Sequence, residues 1–262
     1  MLQDYSIYLY EFMFLMGSIL SLNGKVSVGK STLGAAMVLF LNAIGFEARF
    51  FPEDIDDDYL QMYLADKEKY AFGFQKDTLN RRMAIHREAE VFVSTVGESK
   101  KPRVAVVDRD IYGDISFAKM QRTGGFFNEL EWTIYKREIE RAKLHRPTFM
   151  IHLLCDPATA VQRCLERGYA DKNAYTEQDM VSLEEATVSV LDEYYPGPLL
   201  KLPWARNLSK AGHHDLSASG NTKVDITEDV LIEVLSQLKA TWENWLQEKK
   251  QTMVLLKQEK NK

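Results

Sequence analysis

"GSILSLNGKVSVGKSTLGAAMVLFLNAIG", residues 17–45, decides the fold. Its opening run, Gly17 to Asn23, is apolar and reads as a buried strand. Residues 30–44 are rich in Ala and Leu and read as a helix that Gly45 stops. Between them stands Gly24-Lys25-Val26-Ser27-Val28-Gly29-Lys30-Ser31, with the spacing G-x-x-x-x-G-K-[ST]. Such a loop wraps phosphates in backbone N–H groups. The helix that follows, opening Lys30-Ser31-Thr32, points the positive end of its dipole at them. Lys30 is expected to neutralise the β/γ-phosphates of a nucleoside triphosphate, and Ser31 to ligate Mg²⁺. A turn that merely needs glycines would not require a strand before it and a helix after it.

Outward from this loop, strand and helix signals alternate, which argues for an α/β fold with a parallel sheet. "FEARFF" gives a second strand ending at Pro52-Glu53, and residues 56–68 and 72–97 read as helices. "RVAVVD", residues 103–108, is a third strand, and residues 131–145 form an amphipathic helix. "TFMIHLLC" is a fourth strand, with Asp156-Pro157 opening a further helix. Residues 196–222, rich in Gly, Pro, Ser and Asn, read as a loop, and "KVDI" after them as a weak fifth strand. A long helix over about 226–248 precedes a polar tail, 249–262. The expected architecture is a three-layer sandwich, a five-stranded parallel sheet flanked by helices.

The totals narrow the function. Of 262 residues, 45% are hydrophobic and 27% charged, so a packed core is expected. A formal net charge of -5, with Lys and Arg scattered, argues against a nucleic-acid partner. Two cysteines, Cys155 and Cys164, exclude a disulfide framework and fit a reducing compartment such as the cytoplasm. Residues 7–22 are strongly apolar but carry Glu11, and no Lys or Arg precedes them. Residues 1–16 are therefore expected to be an extension packing on the domain, with no membrane attachment; Met16 would make a natural start.

In open parallel sheets, ligands bind at the carboxyl ends of the strands. Glu53 follows the second strand, and Asp108-Arg109 follow the third. A carboxylate there suits Mg²⁺ or a proton from an attacking hydroxyl, and an arginine suits the reacting oxygens. Arg163 and Arg167, four apart, share a helical face that could close over the transferring phosphate. Gln75 and Arg82, seven apart, share another face; the glutamine amide suits a base edge, and Phe74 could stack on the base.

These motifs together resemble the deoxynucleoside kinases, from about Ser18 to Glu193. "GKVSVGKST", "FPED", "FGFQKDTLNRR", "DRDIYGDISFA", "NELEWTIY" and "QRCLERG" occur in that family's order and at similar spacing. The resemblance implies ATP or another NTP as donor and the 5′-hydroxyl of a purine- or cytosine-type deoxynucleoside as acceptor. Glu53 resembles the catalytic base, Arg109 the residue on the 5′-oxygen and transferred phosphate, and Asp108 a group acting near Mg²⁺. Tyr63 lies where a tyrosine meets the sugar 3′-OH, with an assisting acid near Glu177 or Gln178. Gln75, Arg82 and Asp114 match base-binding positions, and Arg163 and Arg167 a lid over about 163–184, to which Lys172 could add a charge. Asp110 stands where the family's signature has serine. A homodimer through the helices around 72–97 and 126–143 is also implied. A nucleoside monophosphate kinase of the thymidylate kinase type is the alternative, kept open by Arg81 and Arg82, and a non-catalytic nucleotide binder is a third.

Overall fold

The structure is a computed structural model and describes residues 18–95, 101–141, 146–166, 175–204 and 226–260. The N-terminal extension, Arg167, Lys172 and most of "KVDI" lie outside these residues. Strands are β1 (Ser18–Gly24), β2 (Glu47–Phe51), β3 (Arg103–Asp108), β4 (Phe149–Leu154) and β5 (Leu199–Pro203). Helices are α1 (Lys30–Ala43), α2 (Asp57–Ala65), α3 (Lys67–Ser94), α4 (Ile111–Thr123), α5 (Glu129–Arg141), α6 (Pro157–Glu166), α7 (Glu177–Tyr194) and α8 (Glu228–Lys260).

All five strands are parallel, in the order β2-β3-β1-β4-β5. β1 is central and buried along its whole length, polar Ser18, Ser21 and Asn23 included, as a strand covered on both faces must be. Side chains alternate between the two faces. Leu20, Leu22, Val104, Val106, Phe149 and Ile151 pack against α1 and α8, through Leu33, Met37, Leu41, Val234 and Leu238 among others. Ile19, Ala105 and Val107 face Ala89 of α3, while Met150 meets Ile111 and Ile115 of α4 and Val190 of α7. Helices thus cover both faces, giving the three layers expected. Beyond the sheet's carboxyl edge, α2, α3, α4 and α5 share a smaller cluster built on Leu60, Tyr63, Phe74, Leu79 and Tyr135.

Four expectations are corrected. The fifth strand is Leu199–Pro203, inside the stretch read as a loop. It is a short edge strand alternating about exposed Lys201 and closed by Pro203, which only an edge tolerates. The last helix runs to Lys260 rather than stopping near 248. Residues 111–123, given no element in the sequence reading, form α4, whose N-cap Asp110 accepts from the Gly113 amide at 3.1 Å. The helix read from 72 starts earlier, at Lys67, because Asp66 caps it through the Lys69 amide.

Candidate active site

The parallel sheet delivers the ends of β1, β2 and β3 to one edge, and with them Gly24, Glu53 and Asp108-Arg109. The loop leaves β1 at Gly24, where φ is 142 and an added Cβ would stand 2.6 Å from the Leu153 carbonyl oxygen. Only glycine fits that turn. Ser27 and Gly29 also take positive φ, 58 and 112, bending the chain back into α1. Lys30 reaches back, its Nζ donating to the Lys25 carbonyl at 3.4 Å and standing 3.8 Å from Asp108 Oδ1. Ser31 Oγ donates to Asp108 Oδ2. Val26 lines a cleft that Tyr63, Phe117 and Tyr175 also border. Thr32 sits in the first turn of α1.

Arg109 departs from the sheet in an unusual way. Its amide still bonds the Leu22 carbonyl at 2.9 Å, but its φ is 65, left-handed and costly for a side chain with a Cβ. This turn places Arg109 Nε 3.2 Å from Glu53 Oε1. Glu53 Oε1 also accepts from Arg82 Nη2. Burial would raise the Glu53 carboxyl, but Arg109, Arg82 and Lys30 together overcome it and hold it at about 2. Phe117 lies beneath both guanidiniums, its ring centre 4.8 Å from Arg109 Cζ and 6.0 Å from Arg82 Cζ.

Arg82 is the hinge between two parts of the site. Its Nη1 donates to Asp114 Oδ1 while Nη2 serves Glu53. Asp114 is fully buried and also accepts from Thr78 Oγ1 at 3.1 Å and Tyr135 OH at 2.5 Å. Burial and the Asp114 charge push the Tyr135 phenol well up, so it remains a donor. Gln75 donates to the Asp114 carbonyl at 3.2 Å and accepts from Gln121 Nε2 at 2.9 Å. Thus Gln75, Arg82 and Asp114, expected to read a base, are in one buried network.

Other expected residues sit differently. Phe74 is stacked on Tyr63, ring centres 4.9 Å apart and 7° from parallel, so the two bury each other's faces. Phe117, not singled out in the sequence, lines the cleft together with Tyr63 and Tyr175. Arg163 Nη1 donates to the Val28 carbonyl at 3.0 Å, which ties it to the loop's backbone. Glu177 and Gln178 are exposed on the first turn of α7. Asp110 takes a structural part as N-cap and accepts from Asn23 Nδ2 at 3.1 Å.

Sequence reasoning also missed Thr78, Tyr135, Gln121, Glu184, His152 and Gly113. Their motifs were ambiguous, because each acts through a contact distant in the chain. Tyr135 belongs to "NELEWTIY", whose resemblance pointed only to a dimer-side helix. Gly113 matters through what passes it: an added Cβ would clash with Arg109 Cγ and stand 2.6 Å from Asn23 Oδ1. Gly113→Ala is therefore expected to displace Arg109 and lower kcat about 10- to 100-fold with the fold retained. Steady-state rates beside a far-ultraviolet spectrum check this; an unchanged kcat would mean Arg109 does not need its present position.

Glu184, on α7, bonds Lys25 Nζ through Oε2 and His152 Nε2 through Oε1, each at 2.7 Å. Burial alone would raise its carboxyl; His152 and Lys25 outweigh that and hold it at about 2, below its ordinary 4.5. A depressed carboxyl stabilises the fold fully above its unfolded value and loses that contribution as pH falls through the folded one. Wild-type protein is thus expected to unfold at higher temperature than Glu184→Gln at neutral pH, with the gap closing from pH 4.5 towards about 2. Melting curves across that range test it, and a constant gap would contradict it.

Comparison with known proteins agrees with this geometry. The family described as deoxynucleoside kinase matches residues 20–225. A deoxyadenosine kinase of Dictyostelium discoideum is 26% identical over 196 residues, covering 73% of this chain and 74% of that protein. A deoxyguanosine kinase of Lactobacillus acidophilus is 26% identical over 159 residues, 58% of this chain and 63% of that one. Among solved structures, the M. mycoides deoxyadenosine kinase with bound dATP superposes with a TM-score of 0.58 at 19% identity, covering 72% of this chain and 92% of that chain. The same kinase with dCMP and a flexible dCDP also gives 0.58, at 18% identity, covering 83% of this chain and 96% of that one. The match spans the phosphate loop, all five strands and the Arg82–Asp114 network alike, and so the chain belongs to the deoxynucleoside kinase family, phosphotransferases that act on deoxynucleosides.

Proposed function

We propose that the acceptor's 5′-hydroxyl is activated by Glu53, that its base is read by Arg82, Asp114 and Gln75, and that ATP or another NTP is held by Gly24 to Thr32. One observation carries this reading: Arg82 gives one nitrogen to Asp114 and the other to Glu53. A single guanidinium therefore joins the base-reading carboxylate to the catalytic one, the arrangement needed for a ligand with a base at one end and a reacting hydroxyl at the other.

The residues divide the work. Glu53 takes the hydroxyl proton as the oxygen attacks the γ-phosphorus in line. A carboxylate held at about 2 is a weak base, so it gains strength only when Arg82 and Arg109 turn their charge to the substrate. Arg109 then faces the transferring phosphoryl oxygens, and Lys30 the β/γ-phosphates. Arg163 supports the loop, Tyr63 holds the sugar at the cleft wall, and Arg167, outside the described residues, would add a second positive charge for the donor phosphates. Asp108 and Ser31 suit Mg²⁺: Asp108 Oδ1 is buried without a hydrogen bond, and Ser31 Oγ lies against Oδ2. A single carboxylate is enough, since magnesium keeps water and phosphate oxygens as its other ligands. When bound, the ion would offset charge on the β- and γ-oxygens.

Asp114 and Arg82 favour a base bearing an exocyclic amino group or guanine over thymine, and the names of the relatives, deoxyadenosine and deoxyguanosine kinase, fit a purine. The monophosphate-kinase alternative is disfavoured by Arg81. Its guanidinium is already bonded to Asp77 at 2.6 Å, Asp54 at 3.0 Å and Asp56 at 3.3 Å, leaving it poorly placed for an acceptor phosphate. A homodimer through α3 and α5 is supported by Val91 and Leu130, 63% and 69% exposed. No helix of the described residues is long and apolar enough to cross a membrane. Cys155 and Cys164 form no disulfide, which suits a cytoplasmic location. The test is transfer of labelled γ-phosphate from ATP to each of the four deoxynucleosides and their monophosphates. Product from a purine deoxynucleoside or deoxycytidine is expected; product from monophosphates alone would overturn the reading.

A further inference from the structure

Phosphate binding and base reading leave three linked side chains unexplained, buried Lys25 and His152 and half-buried Glu184. Lys25 is the first residue of the loop after Gly24, yet its side chain is only 5% exposed and points away from solvent. Its Nζ donates to Glu184 Oε2, and Glu184 Oε1 meets His152 Nε2. Both carboxylate oxygens accept, so the proton shared with His152 sits on Nε2. His152 is wholly buried in β4, in register with Asn23 of β1, beside the point where the loop leaves the sheet. The chain of contacts thus runs from the sheet, through α7, to the loop.

Lys25 is engaged at both ends. Its carbonyl oxygen accepts from Lys30 Nζ at 3.4 Å and from the Val28 amide at 3.5 Å. Fixing the Lys25 side chain therefore fixes the peptide that orients Lys30 and one of the loop's own amides. The loop is also held from α6, by Arg163 on the Val28 carbonyl and by Cys164 Sγ on Ser27 Oγ at 3.2 Å. Without the α7 tether, residues 27 and 28 stay anchored while the loop's start is released. Burying an ammonium and a carboxylate together gains little net stability over apolar side chains. What the pair supplies is a fixed geometry.

We infer that Lys25, Glu184 and His152 are positioning residues for the phosphate donor, a relay that holds the loop's amides and Lys30 in the phosphate-binding arrangement. The inference rests on the loop being the donor site. It concerns the donor alone, because none of the three touches Gln75, Arg82, Asp114 or Glu53 through a described hydrogen bond or ion pair.

The experiment compares Lys25→Met, Glu184→Gln, their double variant and Lys25→Arg with the wild-type chain. KM is measured for ATP at saturating deoxynucleoside and for the deoxynucleoside at saturating ATP, and ATP binding is measured directly at equilibrium. Each of the first two variants is expected to raise the KM and Kd for ATP about tenfold, roughly 1.4 kcal/mol, with the deoxynucleoside KM within about twofold. The double variant should be no worse than the poorer single one, since both break one tether. Lys25→Arg, which keeps the charge, should remain within about threefold of wild type. Equal rises in both KM values, additive losses, or an unchanged ATP Kd in Glu184→Gln would each overturn the proposal. If Lys25→Met does not fold, Glu184→Gln and Lys25→Arg decide it by the same readings. A wild-type chain that binds ATP but transfers phosphate to no deoxynucleoside would count against the catalytic reading, and the ATP Kd values would still decide the tether.

Discussion

Glu53→Gln is expected to lower phosphate transfer about 10²- to 10⁴-fold, the usual loss when a positioned general base is removed. The amide keeps the size of the carboxylate and can still accept from Arg82 Nη2 and face Arg109 Nε, so the site's shape survives. What is lost is the proton acceptor and the negative charge that holds the two guanidiniums together. ATP affinity should change by less than about threefold, because the loop lies at the end of β1 while Glu53 follows β2. Steady-state rates with labelled ATP, beside equilibrium binding of ATP, separate these effects. A variant that turns over at the wild-type rate would remove Glu53 from catalysis.

The second large effect concerns stability. Arg82→Met removes the charged partner of Asp114, whose side chain is fully buried, and Arg82 itself is 5% exposed. Asp114 keeps Thr78 and Tyr135 as donors but loses its counter-charge. Breaking a buried pair from one side costs about 3–5 kcal/mol, because the remaining charge stays out of water. For a domain of this size, that is on the order of 10 °C in Tm. Adding Asp114→Asn to Arg82→Met should recover part of the loss, since an amide needs no counter-charge. A single variant that melts with wild type, or a double variant that melts lower still, would refute the account. Both variants should also lose acceptor binding, so stability and KM for the deoxynucleoside must be read separately.

The reach of the sequence reading followed the kind of physics involved. β1, its loop and α1 were legible because an apolar run, two glycines and a helical repeat are local signals. Glu53 and Asp108-Arg109 were legible because they follow β-branched or aromatic strands directly. β5 was not: an edge strand of five residues with an exposed lysine and a terminal proline has the composition of a loop. α4 was obscured by Gly113 and by buried polar residues: Asp114 and Gln121 bond Thr78 and Gln75 of α3, and Ser116 turns back onto the Tyr112 carbonyl. Spacing put Gln75 and Arg82 on one face, but nothing in it says that Arg82 also holds Glu53. Lys25 was legible as a loop residue and illegible as a tether, since its side-chain partner, Glu184, comes from α7 and is itself held by His152 of β4.

The amide of Arg109 bonds the Leu22 carbonyl, so the residue proposed to face the reacting oxygens also extends the central β1–β3 ladder. Arg109 is buried and its N–H is bonded to the central strand, and such amides exchange with solvent deuterium slowly, when a large part of the fold opens. Arg109 is thus anchored at its main chain as firmly as the core, whatever its side chain does. On the proposed function, closing over substrates and releasing products are expected of elements outside the ladder, such as α2 beside the cleft. Slow-exchanging backbone is therefore expected at the proposed reacting centre, and faster exchange in the helices around it.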